Sequence, residues 1–342
     1  MGSATSTTAY AAATEGQLGL VQGDIFRSFQ AANGTQNYII NSLMTISQRG
    51  DFTTSSTMTA GASYYLDRFT GVRNSVTASH QHITTNQPTS LGSYSYRITA
   101  TSSATGYLLC AQSIENPRDL IGKTVTFSAW VKSNTQVRLR SYPSSSGFIA
   151  LGGTHSGGGE WELLIFTFTI PTSTPVTDYL NCQVIIFSGA GAAIPLTSGD
   201  YIESTLWMLN EGTERAPFSL AGGGTIGGEL SLCQRYLYKI QGQAGHRSAA
   251  IGYATTPSIC VCNIAFPTEL RANPTISLNG AASSYRIYNL ASYDVCSVLP
   301  VINTTTKESV SMLLTTTTGI LVGDVCALGF SGSSSVMFDA EL

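Results

Sequence analysis

The sequence predicts an all-β protein with two β-sandwich, jelly-roll-like domains, a short helix between them and an N-terminal arm. Three observations predict this class. Charged residues make up only 11% of the chain and hydrophobic residues 42%, so Ser, Thr, Asn, Gln and Gly must supply most of the polar surface. Those residue types suit half-buried strands and tight turns. Segments such as VTFSAWV at 125–131 alternate with period two, and 342 residues exceed what one core usually serves.

The first 36 residues predict an arm that docks on another protein. Asp24 is placed to cap a short helical turn that presents Ile25, Phe26 and Phe29. So small an apolar patch is expected to pack on a neighbour. The N-terminus lacks the basic-then-apolar pattern of a secretory signal, and no run of about 18 apolar residues predicts a membrane span.

Residues 37–219 are expected to form the first β-sandwich. The segments WELLIFTFTI at 161–170 and QVIIF at 183–187 are apolar on both faces of a strand. Because only one face of a two-layer sandwich meets the core, a partner subunit or the other domain is expected to cover the second face.

A Gly-rich linker and a helix are predicted over residues 220–242, before a second β-sandwich at 243–342. The breaker LAGGGTIGG at 220–228 precedes ELSLCQRYLYKI at 229–240. The apolar residues of that second segment recur at helical spacing and predict an assembly seam, made by Leu230, Cys233, Leu237 and Ile240. A helix this short is marginal alone, so it must form against other protein.

Cysteine and histidine spacing predicts neither a metal site nor a cofactor. The seven cysteines fall mostly in apolar runs and predict buried, reduced thiols, as in a protein assembled in a cytoplasm. Cys260 and Cys262 share a strand face, but C-x-C is shorter than the usual zinc spacing. His80 and His82 also share a face, and a threefold axis would gather six imidazoles around a metal. Their polar surroundings favour solvated surface histidines instead.

Trp130 is the leading candidate for a ligand or interface contact. Val125, Phe127, Ala129 and Val131 share one strand face, so Trp130 points the other way. An exposed indole stacks on the apolar face of a sugar or anchors a subunit interface, and the interface is favoured. Tyr64 and Tyr65 are further candidates of the same kind. Trp161 and Trp207 are predicted to lie in the core.

Nine segments are spread over the chain from residue 37 onward: NYIINSLMTISQRG at 37–50, YYLDRF at 64–69, YRI at 96–98, VTFSAWVK at 125–132, EWELLIFTFTIP at 160–171, WMLNEGTERAPF at 207–218, ELSLCQRYLYKI at 229–240, GYATTPSICVCNIAFPTELRANPT at 252–275 and FDAEL at 338–342. In order and spacing they resemble a group of phage virion proteins, tail fibres and related appendages, whose first domain is like a carbohydrate-binding jelly roll. The arm before this region is shorter than the anchoring domain of many tail fibres, which favours a short fibre or a capsid-decorating protein.

The resemblance implies a non-enzymatic virion surface protein, assembled in the host cytoplasm as a homotrimer. The arm would contact other virion proteins, and host surface glycans are a candidate partner. A net charge of −3 carries no basic footprint for nucleic acid or anionic membrane. No acid/base pair, nucleophile motif or phosphate loop is recognisable. The alternatives are a stand-alone carbohydrate-binding module and a glycan-degrading tailspike enzyme.

Overall fold

The computed structural model of the chain describes residues 36–92, 94–145, 147–186, 193–242, 247–289, 293–317 and 319–342. The chain divides into two compact units, Met1–Glu229 and Leu230–Leu342. Their boundary falls inside the predicted linker at 220–242, and the predicted domain limits themselves stay predictions. The described residues are almost entirely in strands and turns, which confirms the all-β class. No helix among the described residues is long and apolar enough to span a membrane.

The first unit is a sandwich of two antiparallel sheets. Its strands are β1 (Ser56–Thr57), β2 (Gly61–Leu66), β3 (Phe69–Asn74), β4 (Ala78–Ile83), β5 (Ser95–Ala100), β6 (Ala104–Glu115), β7 (Thr124–Lys132), β8 (Arg138–Pro143), β9 (Ala150–Thr154), β10 (Trp161–Thr169), β11 (Tyr179–Ile186), β12 (Ile194–Leu196) and β13 (Tyr201–Glu211). Sheet I has the order β1-β4-β5-β13-β7-β10. Sheet II has the order β2-β3-β6-β11-β8-β9, with β12 also paired to β6. A 3₁₀ turn, Pro117–Leu120, leads into β7.

The core of the first unit lies between sheets I and II. Strands such as β4 and β8 bury alternate residues because successive side chains point to opposite faces, whereas β11 and β13 are buried on both faces. In β7 the inward residues include Val125, Phe127 and Ala129, all fully buried. Trp207 of β13 lies at the centre, with its ring centroid 5.1 Å from that of Phe69 and 5.4 Å from that of Phe127. Trp207 is therefore a core residue, as predicted.

Some outward residues of the two-sided apolar strands make contacts within the first unit, whereas Ile165 of β10 is 43% exposed. On β10, the indole Nε1 of Trp161 donates to the Asn86 carbonyl at 2.7 Å, and Thr167 Oγ1 donates to the Thr213 carbonyl at 3.1 Å. Trp161 is consequently half-buried beneath a loop, and its assignment to the core was wrong. On β11, Ile185 packs against Leu109 and Ala111 of its own sheet. Neither contact requires a partner subunit or the other domain.

The second unit contains a three-stranded and a seven-stranded antiparallel sheet. Its strands are β14 (Leu237–Gln241), β15 (Arg247–Thr256), β16 (Ile259–Ala265), β17 (Thr275–Asn279), β18 (Tyr285–Tyr288), β19 (Tyr293–Val295), β20 (Val301–Thr305), β21 (Ser309–Thr315), β22 (Val325–Phe330) and β23 (Ser335–Asp339). Sheet III has the order β14-β23-β17, and sheet IV the order β19-β18-β22-β15-β16-β21-β20. A short 3₁₀ turn, Ala282–Ser284, precedes β18. Side chains from both sheets, including Phe338, Phe330 and Leu314, form one core.

The predicted helix over 229–240 is wrong in its second half. Helix α1 spans Ile226–Gln234, and the chain then enters β14, which pairs with β23 from Leu237↔Asp339 to Gln241↔Ser335. The four residues of the predicted seam therefore lie on two elements, with Leu230 and Cys233 on the helix and Leu237 and Ile240 on the strand. Pairing with β23 and burial of Leu237 and Ile240 override the weak helical preference of this segment. Ile240 packs in the core of the second unit.

All seven cysteines are free and buried, as predicted. Cys260 and Cys262 share the inner face of β16, with their sulfurs 3.8 Å apart. Burial raises the pKa of Cys296 and of Cys326 to about 12. These thiols are protonated at neutral pH and act as small apolar core residues.

Candidate ligand-binding face

The predicted site residues fall on different faces of the first unit. Trp130 is half-buried on the outer face of sheet I. Its cross-strand partners on that face are Leu163 of β10 and Thr205 of β13. Tyr65 is buried and structural, because its hydroxyl bonds the Thr59 backbone N–H at 2.7 Å and its ring lies 4.0 Å from His80. Tyr64 is half-buried on the outer face of sheet II, with the Arg49 guanidinium 5.3 Å from its ring. Ile25, Phe26 and Phe29 lie outside the described residues.

His80 and His82 are buried, so their assignment to a solvated surface was wrong. They do share a face of β4, but that face points into the sandwich. His80 packs among the rings of Phe52, Tyr65 and Tyr96, and burial lowers the pKa of His80 to about 4. His82 bonds the Met44 carbonyl and stacks on Tyr94. Within the described part of the chain, no cluster of three or more His, Cys, Asp or Glu side chains fits a metal.

The buried carboxylates of the first unit hold the fold together. Asp67 accepts hydrogen bonds from the backbone and side chain of Gln48. Glu203 accepts from Ser95 and from the Arg97 guanidinium, at 2.6 and 2.5 Å. Glu229 accepts from the backbone N–H groups of Asn41 and Gly222, both at 2.5 Å. Each of these carboxylates is engaged by donors of its own unit, which is the arrangement expected of structural rather than acid/base groups.

The outer face of sheet II brings together polar and aromatic residues from five strands. Strand register aligns one row of residues across the sheet, here named the Gln183 row: Tyr64, Thr70, Ala111, Gln183, Arg140 and Leu151. A second row on the same face joins Ser113, Asn181 and Tyr142. Tyr107 of β6 lies on this face as well, two residues before Leu109.

Arg140, Gln183 and Tyr142 form a hydrogen-bonded network at the centre of this face. Arg140 Nε donates to Gln183 Oε1 at 2.6 Å, and Gln183 Nε2 donates to the Tyr142 hydroxyl at 3.2 Å. The Arg140 guanidinium also lies 5.2 Å from the centre of the Tyr142 ring. Burial lowers the pKa of Arg140, and the hydroxyls of Tyr142 and Tyr107 oppose that shift. Because the ordinary pKa of arginine is so high, the guanidinium stays charged. Its contacts with Gln183 and Tyr142 fix its orientation.

An apolar floor lies beside this network. Leu109, Ala111 and Ile185 form a small buried cluster distinct from the main core, with Val72 and Tyr107 packed around it. Arg138 lies on the same face of β8, two residues before Arg140. Its Nε is buried and has no hydrogen-bond partner among the described residues. Ser113 Oγ donates to Asn181 Oδ1 at 3.0 Å in the neighbouring row. Buried apolar side chains therefore lie directly beside fixed donors and acceptors on this face.

The sequence contained a signal for this face that the prediction missed. The segment RLRSY at 138–142 alternates, so Arg138, Arg140 and Tyr142 share one strand face. On β6 and β11 the signal was obscured, because GYLLCA and QVII are apolar on both faces and show no clear inner side. Register between the three strands, which sequence alone does not supply, is what brings these residues together.

Comparison with known proteins finds similarity in solved structures only. No protein-family model and no curated protein sequence matches the chain. A family 61 carbohydrate-binding module in complex with β-1,4-galactotriose is 12% identical, covers 52% of this chain and 99% of its own, and has a TM-score of 0.31. The family 22 carbohydrate-binding module of Clostridium thermocellum Xyn10B is 19% identical, covers 43% and 89%, and has a TM-score of 0.30.

A third similar structure is the enzymatically active domain of tailspike protein 4 from bacteriophage CBA120. It is 9% identical, the match covers 52% of this chain and 22% of that one, and the TM-score is 0.35. At such TM-scores and identities, none of the three structures shows what this chain binds or does.

Proposed function

We propose that the first unit binds glycans on the outer face of sheet II. The observation that carries the proposal is the Arg140–Gln183–Tyr142 network beside the apolar cluster of Leu109, Ala111 and Ile185. A pyranose ring has apolar C–H faces and a rim of hydroxyls, so it needs aromatic or aliphatic surface next to fixed donors and acceptors. Half-buried Tyr107 and Tyr142 supply the first kind of contact, and Arg140 supplies the second, with its guanidinium held by the buried Gln183.

The geometry favours recognition without turnover. Planar guanidinium and amide groups bond two hydroxyls at once, and their mutual hydrogen bonds fix their orientation before a ligand arrives. Arg138 places a second guanidinium on the same face of β8, two residues from Arg140. The rows named on this face contain no pair of carboxyl groups of the kind that glycoside hydrolysis uses.

Removal of the network tests the proposal. Binding of the full chain to soluble xylan, β-1,4-galactan and polygalacturonate is to be measured by isothermal titration calorimetry. The substitutions Arg140→Ala and Tyr142→Ala are each expected to weaken binding to whichever glycan the wild type binds by at least about 10-fold, or 1.4 kcal/mol. Loss of a stacking ring or of a charged hydrogen-bond donor has that order of effect.

Two variants serve as controls. Arg118→Ala removes an exposed arginine from the 3₁₀ turn Pro117–Leu120 and is expected to leave affinity unchanged. Trp130→Ala tests the outer face of sheet I instead. A loss of binding in Trp130→Ala alone would move the site to sheet I, and failure of the wild type to bind any of these glycans would refute the proposal.

The virion assignment and the homotrimer are retained as proposals on the strength of the sequence segments that resemble phage appendage proteins. In that setting, many copies of a weak glycan-binding face would act together by avidity. The copy number and position of the chain on purified phage particles test the virion assignment. Absence of the chain from the particles would favour the stand-alone binding module. Release of cleaved sugar from any of the three polysaccharides would instead support the tailspike enzyme.

A further inference from the structure

Sheet IV of the second unit carries a wide apolar outer face. Six of its large side chains are between 44% and 71% exposed: Ile251, Tyr253, Tyr293, Val295, Val301 and Val325. They come from four strands, β15, β19, β20 and β22. By contrast, the exposed large hydrophobic residues described in the first unit are scattered singly over loops, edge positions and the helix. Scattered residues are ordinary on a protein surface, whereas a contiguous group is not.

Strand register shows that these residues are contiguous. One row runs Val325, Tyr253, Val261, Leu313 and Val301 across five strands. The adjacent row runs Tyr293, Tyr288, Ala327, Ile251 and Asn263. Half-buried Val261, Leu313 and Tyr288 fill the spaces between the exposed residues. The apolar surface therefore crosses the whole sheet.

The size of this face is that of an interface. Its six exposed side chains offer on the order of 600 Å², at the upper end of the largest apolar patch on a typical monomer. A standard-size interface takes about 800 Å² from each partner, including the polar rim. The face is thus large enough to form the centre of a stable association.

Charge decides what kind of partner fits. Neither of the two rows contains a charged residue, and the nearest one on this face, Arg286 of β18, stacks on Tyr293 with its guanidinium 4.2 Å from the ring centre. A partner selected by charge would find, among the described residues of this face, one guanidinium that is already stacked on a tyrosine, and the two rows lack the guanidinium–amide network that sheet II offers to glycans. A second copy of the same surface is mainly apolar and of equal extent, as subunit contacts in homo-oligomers are.

We infer that the outer face of sheet IV packs against a second copy of this chain and is its oligomer interface. This places self-association on β15, β22, β19 and β20 rather than on the segment at 229–240. It is independent of glycan binding by the first unit.

Solution mass tests the interface. The wild-type chain of 36.1 kDa is expected to show a mass of two or three chains by multi-angle light scattering at micromolar concentration. Ile251→Asp is expected to raise the dissociation constant at least 100-fold and give a single chain, because it buries an unpaired charge at the centre of the contact. Val325→Asp, on the neighbouring strand, should do the same.

A matched control comes from the first unit. Ile165→Asp changes a residue that is 43% exposed on β10 and is expected to leave the mass unchanged. Circular dichroism checks that each variant folds, and affinity for a short soluble oligosaccharide should not change in Ile251→Asp. A monomeric wild type, or folded Ile251→Asp and Val325→Asp chains that still associate as the wild type does, would overturn the inference.

Discussion

His80 connects a single side chain to the acid stability of the first unit. Burial among three aromatic rings lowers the pKa of His80 to about 4, from an ordinary value of 6.5. The folded state therefore keeps this imidazole neutral at a pH where the unfolded chain protonates it. Its contribution to the free energy of unfolding is fully present above pH 6.5 and is lost as the pH falls towards 4.

The substitution His80→Phe should flatten this pH dependence. Phenylalanine suits the aromatic surroundings and binds no proton, so the loss of stability between pH 6.5 and pH 4 should shrink by about 1–3 kcal/mol. Urea denaturation at several pH values, followed by tryptophan fluorescence, measures it. At pH 8 the His80 side chain is neutral in both the folded and the unfolded state. A measurement at that pH therefore controls for any change in packing. An unchanged slope in the variant would show that other groups drive acid unfolding.

Residue-level prediction succeeded where one side of a strand was clearly apolar. The alternation of β7 correctly separated the buried Val125, Phe127 and Ala129 from Trp130. It failed for His80 and Trp161, because a polar-looking segment can turn its histidines inward and a loop can cover an outward indole. Both outcomes depend on residues distant in sequence, Tyr65 in one case and Asn86 in the other.

At the scale of the strand, Gly252 fixes how closely β15 and β16 approach each other. It pairs with Cys262 on one side and Cys326 on the other. A Cβ at this position would lie 1.8 Å from the Val261 carbonyl oxygen and 2.7 Å from the Cys262 Cα. Both are backbone atoms, so no side-chain movement relieves the clash.

The substitution Gly252→Ala should therefore destabilise the second unit by about 3 kcal/mol or more, near or beyond the upper end for overpacked sites. Gly319→Ala is the matched control, because an added Cβ there meets no atom within 4 Å. All three tryptophans lie in the first unit, so their fluorescence serves as an internal reference while circular dichroism reports both units. Equal unfolding midpoints for the two alanine variants would contradict this prediction.

Element boundaries were hardest to predict where one segment suited two structures. Residues 229–240 carry apolar residues at helical spacing, yet LYKIQ is also a reasonable strand. Pairing of β14 with β23 decided the outcome, and β23 lies about 100 residues further along the chain. The sandwich class itself was predictable because turn residues and alternation recur throughout the sequence.

Across the whole molecule, the candidate ligand face depended on strand order. Arg140 and Tyr142 lie on β8, Gln183 on β11 and Tyr107 on β6, which are adjacent only because the chain crosses between the two sheets. Composition predicted a polar surface made mainly of uncharged residues. It did not predict which strands would be neighbours.

The Gln183 row has a further consequence, which concerns the length of chain that the protein recognises. From Tyr64 on β2 to Arg140 on β8 the row crosses four strand spacings, or roughly 19 Å. A linear oligosaccharide lying along the row would gain contacts with each added sugar until that distance was filled. Affinity should therefore rise steeply through a series of oligosaccharides of increasing length and then level off. Equal affinity for a monosaccharide and a long oligosaccharide would indicate that the protein instead binds only the terminal sugar.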